Sequence, residues 1–161
     1  MGDRTLRISL RRQQLEVLEG ARVTACYPVS TSAKGAGERV GSEQTPRGAH
    51  EVRELIGEGA PSGAVFVGRR LTGEVCTREL RAASPDRDWI LSRVIRLSGL
   101  EAGRNAGGEV DTHGRLIYIH GAPDDEPMGE PRSHGCIRMR NDDVIELFEM
   151  LEIGTLVQID E

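Results

Sequence analysis

Short apolar runs that alternate with polar residues, each closed by a glycine or a polar turn, limit this chain to a fold built mainly from sheet. Leu6, Ile8 and Leu10 alternate with Arg7 and Ser9, the two-residue period of a strand with one buried face. Residues 11–14 turn the chain, 15–18 resume it, Glu19-Gly20 turns it again, and Val23, Ala25 and Tyr27 begin a third run. Runs so closely spaced predict an antiparallel meander, with Pro28 limiting pairing at its end. Residues 64–68, 89–97, 116–119 and 156–159 supply further strands. One stretch alone has a helical period. Val144, Ile145, Leu147, Phe148 and Leu151 share a face, with Asn141 as N-cap and Asp142 and Asp143 in the first turn. That predicts one helix over about 142–152. The 20 glycines supply turns and argue against a helical bundle. The expectation is one mainly β domain over residues 1–161, with no internal repeat.

Between these runs the chain is less informative. Residues 30–42 read as a loop, and Thr45-Pro46-Arg47-Gly48 as a turn that also suits a supporting role near a site. His50, beside Val52, is read as structural. Residues 57–63 form a Gly/Pro linker, and residues 69–87 read as polar and irregular with one helical turn. Residues 101–108 hold three glycines and suit either a lid or a surface excursion. Residues 122–132 carry three prolines, which stiffen a loop, and four acids, read as solvated.

Composition removes several classes of function. A net charge of −5 with 3% aromatic residues is the wrong balance for a nucleic-acid surface. No apolar run approaches the length of a membrane span. Three cysteines, Cys26, Cys76 and Cys136, are too few and too far apart for a disulfide framework, and an odd number suits a reducing compartment. Cys26 reads as a small core residue and Cys76 as structural. Met1 and the residues after it lead almost directly into the first strand without the apolar segment of a secretory signal, so a cytoplasmic location is expected. The alternative is a periplasmic protein whose targeting segment lies outside this sequence.

The chemistry concentrates in Ser133-His134-Gly135-Cys136-Ile137-Arg138-Met139, with His120-Gly121 upstream. A thiol attacks as its thiolate, so a nucleophilic Cys136 needs a base, for which His120 and His134 both qualify. Gly135 lets backbone N–H groups approach a developing oxyanion, and the planar Arg138 guanidinium suits a carboxylate. Residues 116–119 end at His120, and a strand end is a rigid place for a base.

His120-Gly121 followed by S-H-G-C-I-R-M resembles the signature of the L,D-transpeptidase catalytic domain, the YkuD-type family. The likeness extends over most of the chain, through residues 6–29 with Y-P-V-S-T, then T-P-R-G at 45–48, and the closing G-T-L-V-Q-I. Residues 69–111 fall outside it, and the 12 residues between His120 and Ser133 form a short spacing for the family. The resemblance implies a β-sandwich or other β-rich domain with the helix packed near the active site. It implies Cys136 as nucleophile, His120 as its base and the Gly121 carbonyl as the group orienting the imidazole. Amides around His134, Gly135 and Cys136 would form the oxyanion hole, His134 and Arg138 would line the substrate site, and Ser133 would brace the loop. It implies no cofactor or metal. Its substrates would be peptidoglycan stem peptides or muropeptides, cleaved between a diamino acid and D-Ala through a thioester. Water as acceptor makes an L,D-carboxypeptidase of muropeptide recycling, the outcome expected in the cytoplasm. An amine acceptor makes a periplasmic L,D-transpeptidase that forms cross-links or exchanges D-amino acids.

Other classes fit less well. A metal site on His120, His134 and Cys136 lacks a recognisable ligand spacing. A wall-binding module without catalysis would not need Cys136. A papain-type order places the cysteine before the histidine, and no S-x-x-K or K-T-G element supports a serine mechanism.

Overall fold

The computed structural model describes residues 3–161; Met1 and Gly2, on which the reading of the N-terminus partly rests, lie outside them. The meander is present. β1 (Arg4–Ser9), β2 (Gln14–Glu19) and β3 (Arg22–Pro28) pair antiparallel in sequence. β4 (Gly48–Ile56), β5 (Ala64–Val67), β6 (Arg70–Val75) and β7 (Ile90–Gly99) follow, with α1 (Arg78–Ala83) before β7. β8 (Tyr118–Gly121), β9 (Ile137–Met139), α2 (Asn141–Glu149) and β10 (Leu156–Asp160) complete the chain.

The strands run β3-β2-β1-β10-β4-β7-β5-β6, and β8 joins β7 to β9. Two contacts are parallel, β1 with β10 and β8 with β9, so the sheet is mixed where the meander alone suggested antiparallel pairing throughout. The sheet curls until the exit of β3 meets β9, with Ser30 and Arg138 exchanging backbone hydrogen bonds of 2.9 Å. Inside the curl lies the core, where Leu6, Ile8, Leu15, Val17, Ile95, Ile119, Ile137 and Ile159 are each at most 1% exposed. α2 closes it with Val144, Leu147 and Phe148, packed on β7 and β8.

Four local readings change. Cys26 is exposed, because the inward positions of β3 are those of Ala25 and Tyr27 and the intervening side chains face out. Residues 69–87 are not irregular. They hold β6 and α1, and Thr77 caps α1 by accepting from the Leu80 N–H (3.0 Å). β6 is an edge strand exposed on both faces, so selection for alternation is absent from its sequence. Gly68 (φ +56°) and Arg69 (φ +66°) make the two-residue turn into it, both left-handed as the twist of a hairpin favours. Helix α2 begins one residue early with Arg140 at its N-cap, and Asn141 does not cap it. Residues 101–108 are stapled to β4. Glu101 accepts from the Ala49 N–H (2.7 Å), and Asn105, 0% exposed, donates to the Arg47 and Ala49 carbonyls (3.0 Å each).

His50 is structural. Its Nδ1–H donates to the Gly48 carbonyl (3.0 Å) and its Nε2 accepts from the Thr112 hydroxyl (2.9 Å), at 0% exposure. Burial pushes its pKa down from the usual 6.5 to about 4, and burial also lowers His113 and His120. The unfolded chain therefore takes up protons at these sites before the folded chain does. Their stabilisation is full above pH 6.5 and is lost as pH falls through that window. For His50 the loss amounts to about 3 kcal/mol by pH 4. Urea midpoints should fall between pH 7 and pH 4.5, with a shallower slope in His50→Gln.

Candidate active site

Parallel pairing of β8 with β9 sets His120 beside Arg138 and Ile119 beside Ile137. Side chains two apart on a strand share a face. Tyr118 and His120 of β8, with Arg138 of β9 and Cys136 just before that strand, line one cleft of about 320 Å³, together with Ser133 and His134. The His120 ring is 1% exposed, and its Nδ1 lies 2.6 Å from the Gly121 carbonyl. A carbonyl only accepts, so Nδ1 carries the proton and Nε2 is left with its lone pair. Burial lowers the His120 pKa, with the Gly121 bond and Asp88 opposing and Arg138 adding to the fall.

The Cys136 sulfur receives the Tyr118 N–H (3.2 Å) and donates to the Leu116 carbonyl (3.4 Å). Burial pushes the thiol up to about 12, against the Tyr118 N–H and the charges of Arg138 and Arg115. Burial thus favours the neutral form of both groups.

The loop before Cys136 is fixed from three sides. Ser133, 2% exposed, donates to the Cys136 carbonyl (2.6 Å) and accepts from the Gly135 N–H (3.2 Å), while its own N–H donates to the Thr31 carbonyl (2.8 Å). Gly135 has φ +130°, and a Cβ there would lie 3.3 Å from the Gln44 carbonyl oxygen and from Ile117 Cδ1, so the position favours glycine on two grounds. Its carbonyl accepts from the Thr45 hydroxyl (2.8 Å), which in turn accepts from the Ser32 N–H (3.0 Å). A trans peptide points its N–H opposite to its carbonyl, so this bond turns the Cys136 N–H away from Thr45. The T-P-R-G segment does support the site. Thr45→Val would orphan two buried backbone groups and should destabilise the fold by about 2–4 kcal/mol, read from urea unfolding.

All seven residues singled out from the sequence come together here. His134 is exposed at the rim, and Arg138 is half-buried, with Nη1 3.6 Å from Glu126 Oε2. Glu126 also pairs with Arg81 (3.2 Å), so this acid of the proline-rich loop is not a free solvated charge. The sequence reading missed Arg69, Asp88, Arg115, Leu116 and Tyr118, all of which line the cleft. Arg115 donates to the Gln44 carbonyl (2.6 Å), and Arg69 donates to the Tyr118 hydroxyl (3.0 Å). Alternation along residues 116–120 would have found Tyr118; nothing in the spacing announces Arg69 or Asp88. A neighbouring cleft of about 210 Å³ shares His134, Arg138 and Asp88 and adds Arg132. A larger cavity, about 470 Å³, holds Cys76 and no histidine. Among the described residues no group of three or more His, Cys, Asp or Glu is placed to hold a metal, and no helix is long and apolar enough to cross a membrane.

YqjB of Bacillus subtilis (strain 168), which carries an L,D-transpeptidase name, is 48% identical over 48 residues, covering 30% of this chain and 27% of that protein. YbiS of Escherichia coli (strain K12), named likewise, is 51% identical over 49 residues, covering 30% and 16%. The matches thus span about a quarter or less of these relatives. The fold is that of L,D-transpeptidase 3 from Mycobacterium tuberculosis, solved with a faropenem-derived adduct (TM-score 0.61, 18% identity, 99% of this chain and 60% of that one). The profile of the YkuD family, the L,D-transpeptidase catalytic domain, matches residues 3–159, and this chain belongs to that family.

Proposed function

We propose that this chain cleaves the bond between a diamino acid and D-Ala in peptidoglycan stem tetrapeptides, by a thioester on Cys136. The observation that carries this reading is that Cys136, just before β9, and a Nδ1-protonated His120 on β8 line one cleft. The Cys136 sulfur attacks the amide carbonyl while His120 Nε2 takes its proton. The tetrahedral oxyanion is met by the backbone N–H groups of His134 and Cys136, the Gly135 N–H being taken by the Ser133 hydroxyl and the Cys136 N–H being turned away from Thr45. Collapse breaks the C–N bond, and the imidazolium returns the proton to the leaving amine of D-Ala. Arg69, Arg115 and Arg138 outnumber Asp88 in the cleft, which suits the D-Ala carboxylate.

Water as acceptor gives the tripeptide, an L,D-carboxypeptidase step of muropeptide recycling, and the location proposed with it is the cytoplasm. The cleft volume of about 320 Å³ suits one peptide end. The second reading, an amine acceptor and so a transpeptidase of the periplasm, is favoured by the adjoining cleft beyond His134 and Arg138. Mass spectrometry of a disaccharide tetrapeptide incubated with enzyme, with and without a free D-amino acid, decides between them. Tripeptide as main product in both tubes supports hydrolysis; exchanged or dimeric products support transpeptidation. No product in either tube would overturn the substrate assignment.

A further inference from the structure

We propose that Asn141 is a positioning residue for the Cys136–His120 pair, its buried carboxamide clamping the peptide whose carbonyl aims His120. The inference rests on the catalytic reading of that pair. Asn141 opens helix α2, yet its side chain turns inward and caps no helix amide. It is 7% exposed and fully engaged. Its Oδ1 accepts from the Ser92 hydroxyl (2.5 Å), and its Nδ2 donates to the Ala122 carbonyl (3.0 Å) and to Asp124 Oδ1 (3.1 Å).

The peptide carrying the Gly121 oxygen lies between two of these contacts. On one side the Gly121 Cα rests on the carboxamide, where an added Cβ would lie 2.5 Å from Asn141 Oδ1 and 2.6 Å from the Leu91 carbonyl oxygen. On the other side Ala122 is tied through its carbonyl to Asn141 and through its N–H to the Met139 carbonyl (3.1 Å). The clamp is itself anchored. Ser92 is 0% exposed, sits at the register break of β7 between Leu91 and Val94, and has φ +70°. A left-handed serine persists where its surroundings over-determine it, and its hydroxyl also receives the Gly63 N–H (2.9 Å). The chain of bonds Gly63–Ser92–Asn141–Ala122 therefore holds the Gly121 carbonyl against His120 Nδ1, which fixes both tautomer and ring direction.

Two readouts test this without any substrate. Alkylation of Cys136 by iodoacetamide at pH 7, followed at its own peptide by mass spectrometry, reports base assistance to the thiol. Nitrogen-15 NMR of His120 reports the tautomer. Asn141→Ala should slow alkylation by about 10–100-fold and mix the two tautomers, with the far-UV spectrum of the sheet unchanged. Ser92→Ala leaves Asn141 in place and should move both readouts in the same direction by less, which keeps the test open if Asn141→Ala does not fold. A folded variant of either kind with wild-type alkylation and a single Nδ1–H tautomer would overturn the proposal. Wild-type enzyme that alkylates readily and turns over no stem peptide would instead sink the substrate reading and leave the role of Asn141 standing.

Discussion

Cys136→Ser should retain the fold and lose D-Ala release by about 10,000-fold or more. The sulfur occupies a place built for it, between the Tyr118 N–H and the Leu116 carbonyl, and a hydroxyl can make the same two bonds. What serine cannot do is ionise under the same conditions. A thiol already pushed up to about 12 by burial is within reach of an imidazole acting in concert with attack; an alcohol starts several units higher still. The check has two parts. Turnover of a tetrapeptide should vanish, and intact mass of the wild-type enzyme during turnover should show a thioester adduct absent from the variant. Turnover surviving in Cys136→Ser would remove Cys136 as the nucleophile of the mechanism.

The second large effect is expected at His120. His120→Gln should lower kcat/KM by about 1,000-fold at pH 7, the usual worth of a positioned base. Its pH profile should also change form. In the proposed mechanism the neutral imidazole is the active species, and burial lowers its pKa below the ordinary 6.5, so activity should hold through neutral pH and fall only on the acid side. Without His120 the rate must follow the thiolate fraction. Because Cys136 is pushed up to about 12, that fraction rises about tenfold per pH unit through the neutral and alkaline range. A log-linear rise with unit slope in His120→Gln, against a plateau in the wild type, is the signature. A plateau in both would point to His134, which lines the same cleft from its exposed rim.

Much of the site was legible in the chain because its chemistry is local. Ser133, His134, Gly135 and Cys136 are consecutive, and the Ser133 hydroxyl closes the turn on the Cys136 carbonyl three residues away. His120 and the carbonyl that orients it are adjacent. The strands were legible wherever one face is buried, as in β1 with Leu6 and Ile8, and illegible in β6, which is exposed on both faces. Cys26 was misplaced by reading its neighbours' apolar character instead of its own parity.

Tertiary structure decided the rest. Asn141 does not cap its helix but turns inward, onto Ser92, 49 residues earlier in the chain. The Gly135 carbonyl is turned by Thr45, 90 residues away, and the sulfur is held by Tyr118, 18 residues away. The sequence by itself determined the groups proposed to react and the alternation that buries one face of the sheet, because spacing along the backbone sets both. The pairing of β8 with β9, and the distant hydroxyls, amides and carbonyls that aim those groups, came only from the closed sheet. Hydrogen bonds between segments far apart leave no period in the chain that could announce them.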